Sequence, residues 1–574
     1  MLKPLSILWK NLSKKRKLQL GFLLTLMLVG SVAELVSIGS IVPFLVVFTT
    51  PEKIGEYTAL LNLTDLRHWT HQDPILLVFG FFVFATIISA AIRTLLLWIQ
   101  INMSYSIGAD YSREIYRRTL HQPYIEHVNK NSSEVIADIL GKVSAVVRNG
   151  ILPVLMIINS LIILTVVFGI FSVTHPQVAM VVMLGFGSIY CIVILSTRSR
   201  LRNNSFIISS SSAQVLKALQ EGLGGIRNVI IDGTQDRYCT IYAGSDNKLR
   251  RAQAANEFLA SSPRLLVEAI GIVLIGSLCY VMTRIENDAN ELIPIFGALA
   301  LGAQRLMPSV QQLYQGWAMI KGGQALLVDV ANQFLQPFAP NISAQRAGRI
   351  SFRSSLHLDG VSYRYPQKKN EVLKTINLEI RKGSKVGIMG KSGEGKSTLV
   401  DILMGLLTPT RGLVKVDNVV IGEHNIRSFQ NDISHVPQLI YLADVSIAEN
   451  IALGVAASEI DIDRVKFASK IAAIDSFIES LDDKYDTIVG ERGARLSGGQ
   501  VQRIGIARAL YKRSSILIID EGTSAIDSAT ESQILRNLKR ELDSLTIIMI
   551  AHRLSTLENC NEVYYLDHGS LKKR

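Results

Sequence analysis

The stretch GKSGEGKS, residues 390–397, decides the fold of the second part of this 574-residue chain. It fits the pattern G-x-x-x-x-G-K-[ST] and lies between an apolar strand-like run, VGIM at 386–389, and a helix-forming run. Glycines here let backbone N–H groups curl around phosphate oxygens, and the positive end of the following helix points at them. The stretch therefore predicts a phosphate-binding loop, with Lys396 on the outer phosphates and Ser397 as a Mg²⁺ ligand.

The sequence around this loop predicts an α/β domain. From about residue 351, short β-rich runs alternate with helical ones, as in a largely parallel sheet. One such run, ILIIDE at 516–521, ends with two acids. Asp520 suits the Mg²⁺ shell, and Glu521 could polarise an attacking water as general base. The domain is expected to occupy 351–574, after a Pro-containing linker at 331–350.

The first part of the chain has the composition of a membrane domain. The mean hydropathy of the whole chain is +0.28 and only 19% of its residues are charged. Segments of about 20 apolar residues can cross a bilayer as helices. Within the predicted transmembrane domain, 1–330, six charge-poor segments qualify: 18–50, 74–109, 149–174, 176–197, 265–283 and 292–320.

The positive charge is distributed as the positive-inside rule describes. Residues 1–17 hold six Lys and Arg and no acid, and the loops 110–148 and 198–251 are also rich in basic residues. The loops 51–73 and 284–291 hold few. The N-terminus and the α/β domain are therefore expected on the cytoplasmic side of the plasma membrane, the inner membrane of a cell with two. This placement accounts for much of the net charge of +12, and the six spans exclude a soluble nucleic-acid-acting protein.

The segment LSGGQ, Leu496–Gln500, follows the phosphate loop and precedes the strand-end acids, SAID at 524–527 and IAHR at 550–553. This set in this order resembles an ATP-binding cassette. The resemblance implies ATP and Mg²⁺ as cofactors, with Glu521, His552 and Gln438 in catalysis. It implies Ser397, Gln438 and Asp520 as the metal ligands. The residues that it places around the nucleotide are Tyr365, stacked on adenine, and Gly390, Lys391, Ser392, Gly393, Glu394, Gly395, Lys396, Ser397, Thr398, Ser497, Gly498, Gly499, Gln500 and Asp527.

Two positions depart from the cassette pattern. Glu394 stands where a small or polar residue is usual, and its side chain is expected to face solvent. Gly522 follows Glu521 where the family has alanine. Neither departure removes a motif that hydrolysis needs.

The order of domains resembles the exporters of this family. Six spans precede one cassette, and TIVGERG at 487–493 resembles the exporter segment ahead of the signature. QPYIEHV at 122–128 and EGLGGIRNV at 221–229 correspond to the loop helices that dock on cassettes. In the family the signature of one cassette closes on nucleotide held by another. The working unit is therefore expected to be a dimer of half-transporters, with the complete motif set favouring a homodimer.

Two arginines, Arg93 and Arg305, lie inside predicted spans. A charge at mid-bilayer costs about 2.5–3.5 kcal/mol on insertion scales, so each should face the protein interior or a wet cavity. One interpretation is an ion pair with Glu34 or Glu268, although Arg264 and Glu268 are four residues apart and could pair with each other. The other is a site for an anionic, pyrophosphate-bearing headgroup, which guanidinium groups bind with parallel hydrogen bonds.

Short segments favour the second interpretation. SPRLLVEAIG at 262–271, QRLMPSVQQLY at 304–314 and VAELVSIGSIVPF at 32–44 resemble the lipid-linked oligosaccharide flippase of bacterial N-glycosylation and related polysaccharide exporters. The leading hypothesis is ATP-driven export or flipping of an amphipathic anionic lipid, a polyprenyl-pyrophosphate saccharide. A multidrug or lipid A-type exporter is the alternative, and an ATP-gated channel or regulator is a remote one.

Overall fold

The structure is a computed structural model of the full chain. It describes residues 2–40, 43–44, 74–129, 135–174, 176–285, 307–336, 350, 352–366, 368–521, 525–551, 557–558 and 560–574. Two compact units divide the chain. The first comprises Met1–Gln122 and Asn129–Phe338, and the second comprises Ala339–Arg574 together with Pro123–Val128. The boundary between them along the chain falls inside the predicted linker.

In its described residues the first unit is helical. Apolar runs without interior proline form its membrane-length helices, and two of these helices, of 47 and 49 residues, extend well beyond the length that a bilayer requires. The helices are α1 Leu2–Lys10, α2 Lys14–Gly39, α3 Pro74–Leu120, α4 Tyr124–Asn129 (assigned mostly to the second unit), α5 Val143–Val146, α6 Leu152–Thr174, α7 Pro176–Gly224, α8 Ile226–Ile231, α9 Gln235–Ser261, α10 Pro263–Ile285, α11 at 307–322 and α12 Gln324–Gln333.

Three stretches of helix are long and apolar enough to cross a membrane within the described part of the chain: Lys14–Gly39, Val78–Leu120 and Val143–Gly169. They overlap the first three predicted spans. The fourth and fifth predicted spans lie in α7 and α10. Of the sixth, only the part from 307 onward belongs to the described residues, and it is helical.

Two π-helical segments interrupt the helical run that contains the third span. They are Ala137–Lys142 and Val147–Ile151, with α5 between them. Glycines allow close packing around the second. A Cβ atom on Gly108 of α3 would lie 2.4 Å from Val147 Cγ2, and one on Gly150 would lie 2.6 Å from Leu327 Cδ2 of α12. These distances are shorter than real Cβ contacts, so a side chain at either position would have to displace Val147 or Leu327.

The second unit contains two sheets. The first has four antiparallel strands in the order β2-β1-β4-β5, and the second has six strands in the order β10-β9-β3-β8-β7-β6. Strands β9, β3, β8, β7 and β6 are parallel to their neighbours, and β10 pairs antiparallel with β9. The strands are β1 Ser355–Tyr363, β2 Leu373–Arg381, β3 Lys385–Gly390, β4 Arg411–Val416, β5 Val419–Val420, β6 Ile433–Val436, β7 Ile516–Asp520, β8 Thr546–Ile550, β9 Glu562–Asp567 and β10 Ser570–Lys573.

Helices cover these sheets. They are α13 Lys396–Leu403, α14 Ile426–Gln430, α15 Ile447–Ile451, α16 Ile462–Ile471, α17 Asp475–Glu479, α18 Gly498–Tyr511 and α19 Ser528–Glu541. Strands β7 and β8 are almost wholly buried, which explains their continuous runs of Ile, Leu and Met. The carboxyl ends of parallel strands meet at one sheet edge, and ligands of such sheets bind there. Gly390, Asp520 and Ile550 all end strands at this edge.

Candidate nucleotide site

The phosphate loop joins β3 to α13, as its glycines predicted. Gly393 has φ +86° and Gly395 has φ +103°, values that side chains other than glycine rarely adopt. A Cβ on Gly395 would also lie 3.0 Å from Val372 Cγ1. Ser392 and Ser397 are exposed along this loop. The loop therefore turns sharply into the N-terminal end of α13, where free N–H groups favour an anion.

Lys396 is buried beneath this loop. Its Nζ donates to Gly390 O at 2.7 Å and to Lys391 O at 3.0 Å. Burial lowers the pKa of Lys396, and the nearby carboxylates of Glu521, Asp520 and Glu394 oppose that shift. Two carbonyl groups of the loop thus hold the ammonium group of Lys396. A phosphate bound in the same loop would also contact this ammonium group.

Glu521 and Gln438 form a direct contact across two elements. Gln438 Nε2 donates to Glu521 Oε2 at 2.7 Å, while the Glu521 N–H donates to Ile550 O at 3.0 Å. Glu521 has φ +49°, which turns the chain away from β7 immediately after Asp520. The two residues expected to sense the nucleotide and to activate water are therefore side by side.

Asp401 lies close enough to Asp520 for their charges to interact, and the sequence did not predict it as part of the site. It lies on α13, one and a half turns after Lys396. Burial and the charge of Asp520 raise the pKa of Asp401 to about 6. Asp401 thus adds negative charge close to Asp520, the residue predicted to bind Mg²⁺. No local pattern marks Asp401, because an acid inside a helix is usually solvated.

Tyr365 lies next to the phosphate loop. Its hydroxyl is 3.1 Å from Thr398 Oγ1 on α13, and its ring meets Tyr363 edge-on at 5.0 Å between centroids. Lys368 Nζ is 5.8 Å from the ring centroid. The ring is only partly buried, so the edge contact and the hydroxyl bond fix its plane beside the start of α13.

The signature segment begins α18. Ser497 is the N-cap: its side chain accepts from Gln500 N, and Gln500 Oε1 accepts from Ser497 N at 2.8 Å. Nearby, Gln502 Oε1 accepts the Ala525 N–H at 2.8 Å, and a Cβ on Gly499 would lie 3.1 Å from Ala525 O. Asp527 caps α19 by accepting from Thr530 N at 2.9 Å. Ser497 and Gly498 are exposed.

The expectation that Glu394 faces solvent is wrong. Its side chain is only 15% exposed, and its Oε2 accepts the backbone N–H of His568 at 2.5 Å. His568 belongs to the turn between β9 and β10. The turn attracts the carboxylate because it presents a backbone donor beside the loop, a tertiary feature with no local sequence signal.

Four residues singled out in the sequence lie outside the described residues: Arg305, Gly522, Ser524 and His552. Their roles stay predictions.

In the first unit, Arg93 contacts Glu34. Arg93 Nη1 lies 2.8 Å from Glu34 Oε1, and their side chains are 47% and 3% exposed, respectively. The ion pair that the sequence analysis offered as one interpretation of Arg93 is therefore formed. The helix-face pair of Arg264 with Glu268 is not formed among the described contacts, and both residues are exposed on α10.

Comparison with known proteins gives consistent results for both parts of the chain. Residues 19–290 match the family model described as the ABC transporter transmembrane region, and residues 373–524 match the model described as ABC transporter. An ATP-dependent lipid A-core flippase from Alkalilimnicola ehrlichii is 31% identical over 413 residues, 71% of this chain and 68% of the relative. The chloroplastic ABC transporter B family member 29 of Arabidopsis thaliana is 28% identical over 95% of this chain and 84% of its own.

The solved structure of a bacterial Atm1-family ABC exporter with ATP bound has a similar fold. Its TM-score is 0.81 at 23% sequence identity, and the alignment covers 96% of this chain and 95% of that one. The likeness extends over both units.

Proposed function

Because the chain belongs to the ABC transporter family, as its relatives and both domain matches show, we propose that it exports or flips an amphipathic anionic lipid across the plasma membrane. The chain is an ATPase coupled to transport. The working unit of the proposal is a homodimer. In it, ATP binding closes the two cassettes and opens the substrate cavity outward, and hydrolysis resets it.

Residues of this chain are assigned to hydrolysis as follows. Lys396 would bind the outer phosphates, and Ser397, Asp520 and Gln438 would hold Mg²⁺, which would supply charge neutralisation at the phosphates. Glu521 accepts the proton of the attacking water, and Gln438 orients its carboxylate through the 2.7 Å hydrogen bond. His552 would contact the terminal phosphate, the role that the family resemblance implies for it.

The observation that supports an anionic substrate is the state of Arg93. The guanidinium carries five N–H donors, and within the described part of the chain Glu34 engages one of them through Nη1. Glu34 is buried while nearly half of the Arg93 side chain is exposed. A guanidinium held from one side by a buried acid can still bind a phosphate with its remaining donors. Arg305, predicted in the sixth span, would add a second cation per protomer.

Two substrate classes meet these requirements. The leading one is a polyprenyl-pyrophosphate saccharide, which the resemblance of three short segments favours. A lipid A-type glycolipid is the second, and the relatives named as lipid A-core flippases favour it at least as strongly. Both carry phosphate on a lipid anchor, so the same arginines would serve either.

The test is the ATPase rate of the purified protein in nanodiscs with each class of compound. Polyprenyl-pyrophosphate saccharide, lipid A and an apolar cationic drug are compared on the wild type, Arg305→Ala and Arg264→Ala. Arg264 is the control, because it carries the same charge on the exposed face of α10.

Stimulation by the saccharide lipid that is lost only in Arg305→Ala would support the leading substrate. Stimulation by lipid A alone, with the same dependence, would establish the second. Stimulation by the drug alone, or equal rates in the wild type and Arg305→Ala, would contradict an anionic headgroup site.

A further inference from the structure

The phosphate loop is connected to the C-terminal hairpin in a way that the cassette motifs do not account for. Strands β9 and β10 pair through Asp567 and Ser570, leaving His568 and Gly569 as a two-residue loop. These have φ +46° and +81°, the pattern of a type I′ turn. The N–H of the first loop residue lies outside the hairpin ladder, and here it donates to Glu394.

The turn is fixed in place by two further contacts. Gly569 O accepts the Lys374 N–H at 2.8 Å, and a Cβ on Gly569 would lie 2.5 Å from Val372 O. Val372 is also the residue that packs against Gly395 of the phosphate loop. The turn and the loop therefore rest on the same segment at the start of β2, and Glu394 joins them directly.

The neighbouring strand anchors the hairpin to the other end of the loop. Gly390 and Leu566 are partners in the parallel pairing of β3 with β9, and a Cβ on Gly390 would lie 2.7 Å from Leu566 O. The loop is thus attached to β9 where it begins and to the β9–β10 turn at Glu394. Only the second attachment depends on a side chain.

We propose that Glu394 is a positioning residue that holds the phosphate loop in its nucleotide-binding shape through the His568 N–H, and so sets the affinity for ATP. The carboxylate has two opposing effects. Its hydrogen bond orders the loop, which favours binding, because a preorganised site loses less entropy. Its charge, close enough to act on Lys396, disfavours binding of the anionic phosphates.

Two variants separate the effect of the hydrogen bond from the effect of the charge. Glu394→Gln keeps an acceptor for the His568 N–H and removes the charge. Glu394→Ala removes both. We expect the KM for ATP to rise roughly tenfold in Glu394→Ala, the scale of one charge-assisted hydrogen bond, with kcat nearly unchanged. In Glu394→Gln the KM should equal or fall below that of the wild type.

His568→Asn is the matched control on the donor side. Asn-Gly is a preferred type I′ pair, so this variant keeps the turn and its N–H and removes the exposed imidazole, whose Nδ1 lies 3.9 Å from Glu394 Oε2. Its KM should match the wild type. Binding of a fluorescent ATP analogue to each variant in a Glu521→Gln background measures affinity without turnover, and thermal melting without nucleotide checks the fold.

A KM for ATP at or below the wild-type value in Glu394→Gln, together with a KM above that value in Glu394→Ala, supports the proposal. A KM that falls in both variants would mean that Glu394 acts by charge alone. Equal increases in both, or no change in either, would overturn the positioning role. A loss of kcat at constant KM in Glu394→Ala would also overturn it. None of these readings depends on the transported substrate.

Discussion

Arg93 Nη1 lies 2.8 Å from Glu34 Oε1, so α2 and α3 are joined by an ion pair inside two apolar helices. Glu34 is almost fully buried, and its carboxylate depends on this arginine for compensation. Arg93→Ala should therefore destabilise the membrane domain by up to about 3 kcal/mol, since it leaves a buried charge unpaired. The measurement is thermal melting in detergent, with Thr94→Ala on the next residue as control.

The double variant Glu34→Gln with Arg93→Ala distinguishes structure from substrate binding. If Arg93 serves only to neutralise Glu34, the double variant should recover both stability and transport. Recovery of stability without transport would assign Arg93 to the substrate. A double variant no more stable than Arg93→Ala would contradict the pairing itself.

Tyr365 should contribute to ATP affinity through its ring. Stacking of a base on an aromatic side chain contributes about 1–3 kcal/mol, so Tyr365→Ala should raise the Kd for ATP roughly 5- to 150-fold. Tyr365→Phe keeps the ring and loses only the contact with Thr398 Oγ1. It should bind ATP almost as the wild type does, in an equilibrium titration with the fluorescent analogue. Equal losses of ATP affinity in Tyr365→Phe and Tyr365→Ala would show that the hydroxyl, and not the ring, contributes to binding.

A mixture of two inactive chains tests whether ATP sites are shared between protomers. Lys396→Ala disables the phosphate loop. Gly498→Glu places a carboxylate on the exposed start of α18, where a Cβ meets nothing closer than Ala525 Cβ at 3.5 Å. The helix N-terminus tolerates the new acid, so the chain should fold normally.

Each variant alone should hydrolyse ATP at least about 100-fold more slowly than the wild type. Co-assembled chains should recover activity, because one site then combines an intact loop from one protomer with an intact signature from its partner. A mixture as inactive as the two separate variants would argue against shared sites.

Asp401 gives the nucleotide-binding domain a pH-dependent stability. Its pKa of about 6 is above the value of an unfolded aspartate, so the folded state binds the proton more tightly. The stabilisation from that proton is complete below about pH 4 and is lost as the pH rises through 6. Asp401→Asn should therefore raise Tm at pH 8 by a few degrees, since 1 kcal/mol shifts a domain of this size by about 2–4 °C. At pH 4.5 the Tm difference should nearly disappear, and an equal gain at both pH values would exclude this cause.

Much of the nucleotide site could be predicted because its motifs act through backbone geometry. Gly393 and Gly395 have the positive φ that the loop pattern requires, and Ser497 caps the helix that follows the signature. The direction of Glu394 could not be predicted, because its partner is 174 residues away and is a backbone N–H. Asp401 was missed for a related reason: only the folded sheet brings Asp520 close to it.

The membrane domain was predictable in its helices and less so in its pairings. Hydropathy locates apolar helices because the bilayer imposes their length. Hydropathy does not predict which acidic residue pairs with which arginine. The sequence left Glu34 open to either Arg93 or Arg305, and the packing of α2 against α3 brings Arg93 to it. Only the four-residue spacing predicted the pairing of Arg264 with Glu268. An ion pair between two exposed side chains contributes little to the free energy of folding.

The π-helical turns at 137–142 and 147–151 have a consequence for the history of the gene. A π-turn holds one residue more than the α-helix around it, so it can accommodate an inserted residue while packing keeps the two ends of the helix in place. Transporters that lack these turns should therefore be shorter by single residues here, with Gly108 and Leu327 still facing the third span. Deleting one residue from either turn should restore regular α-helix there and leave the packed residues on both sides in their present register.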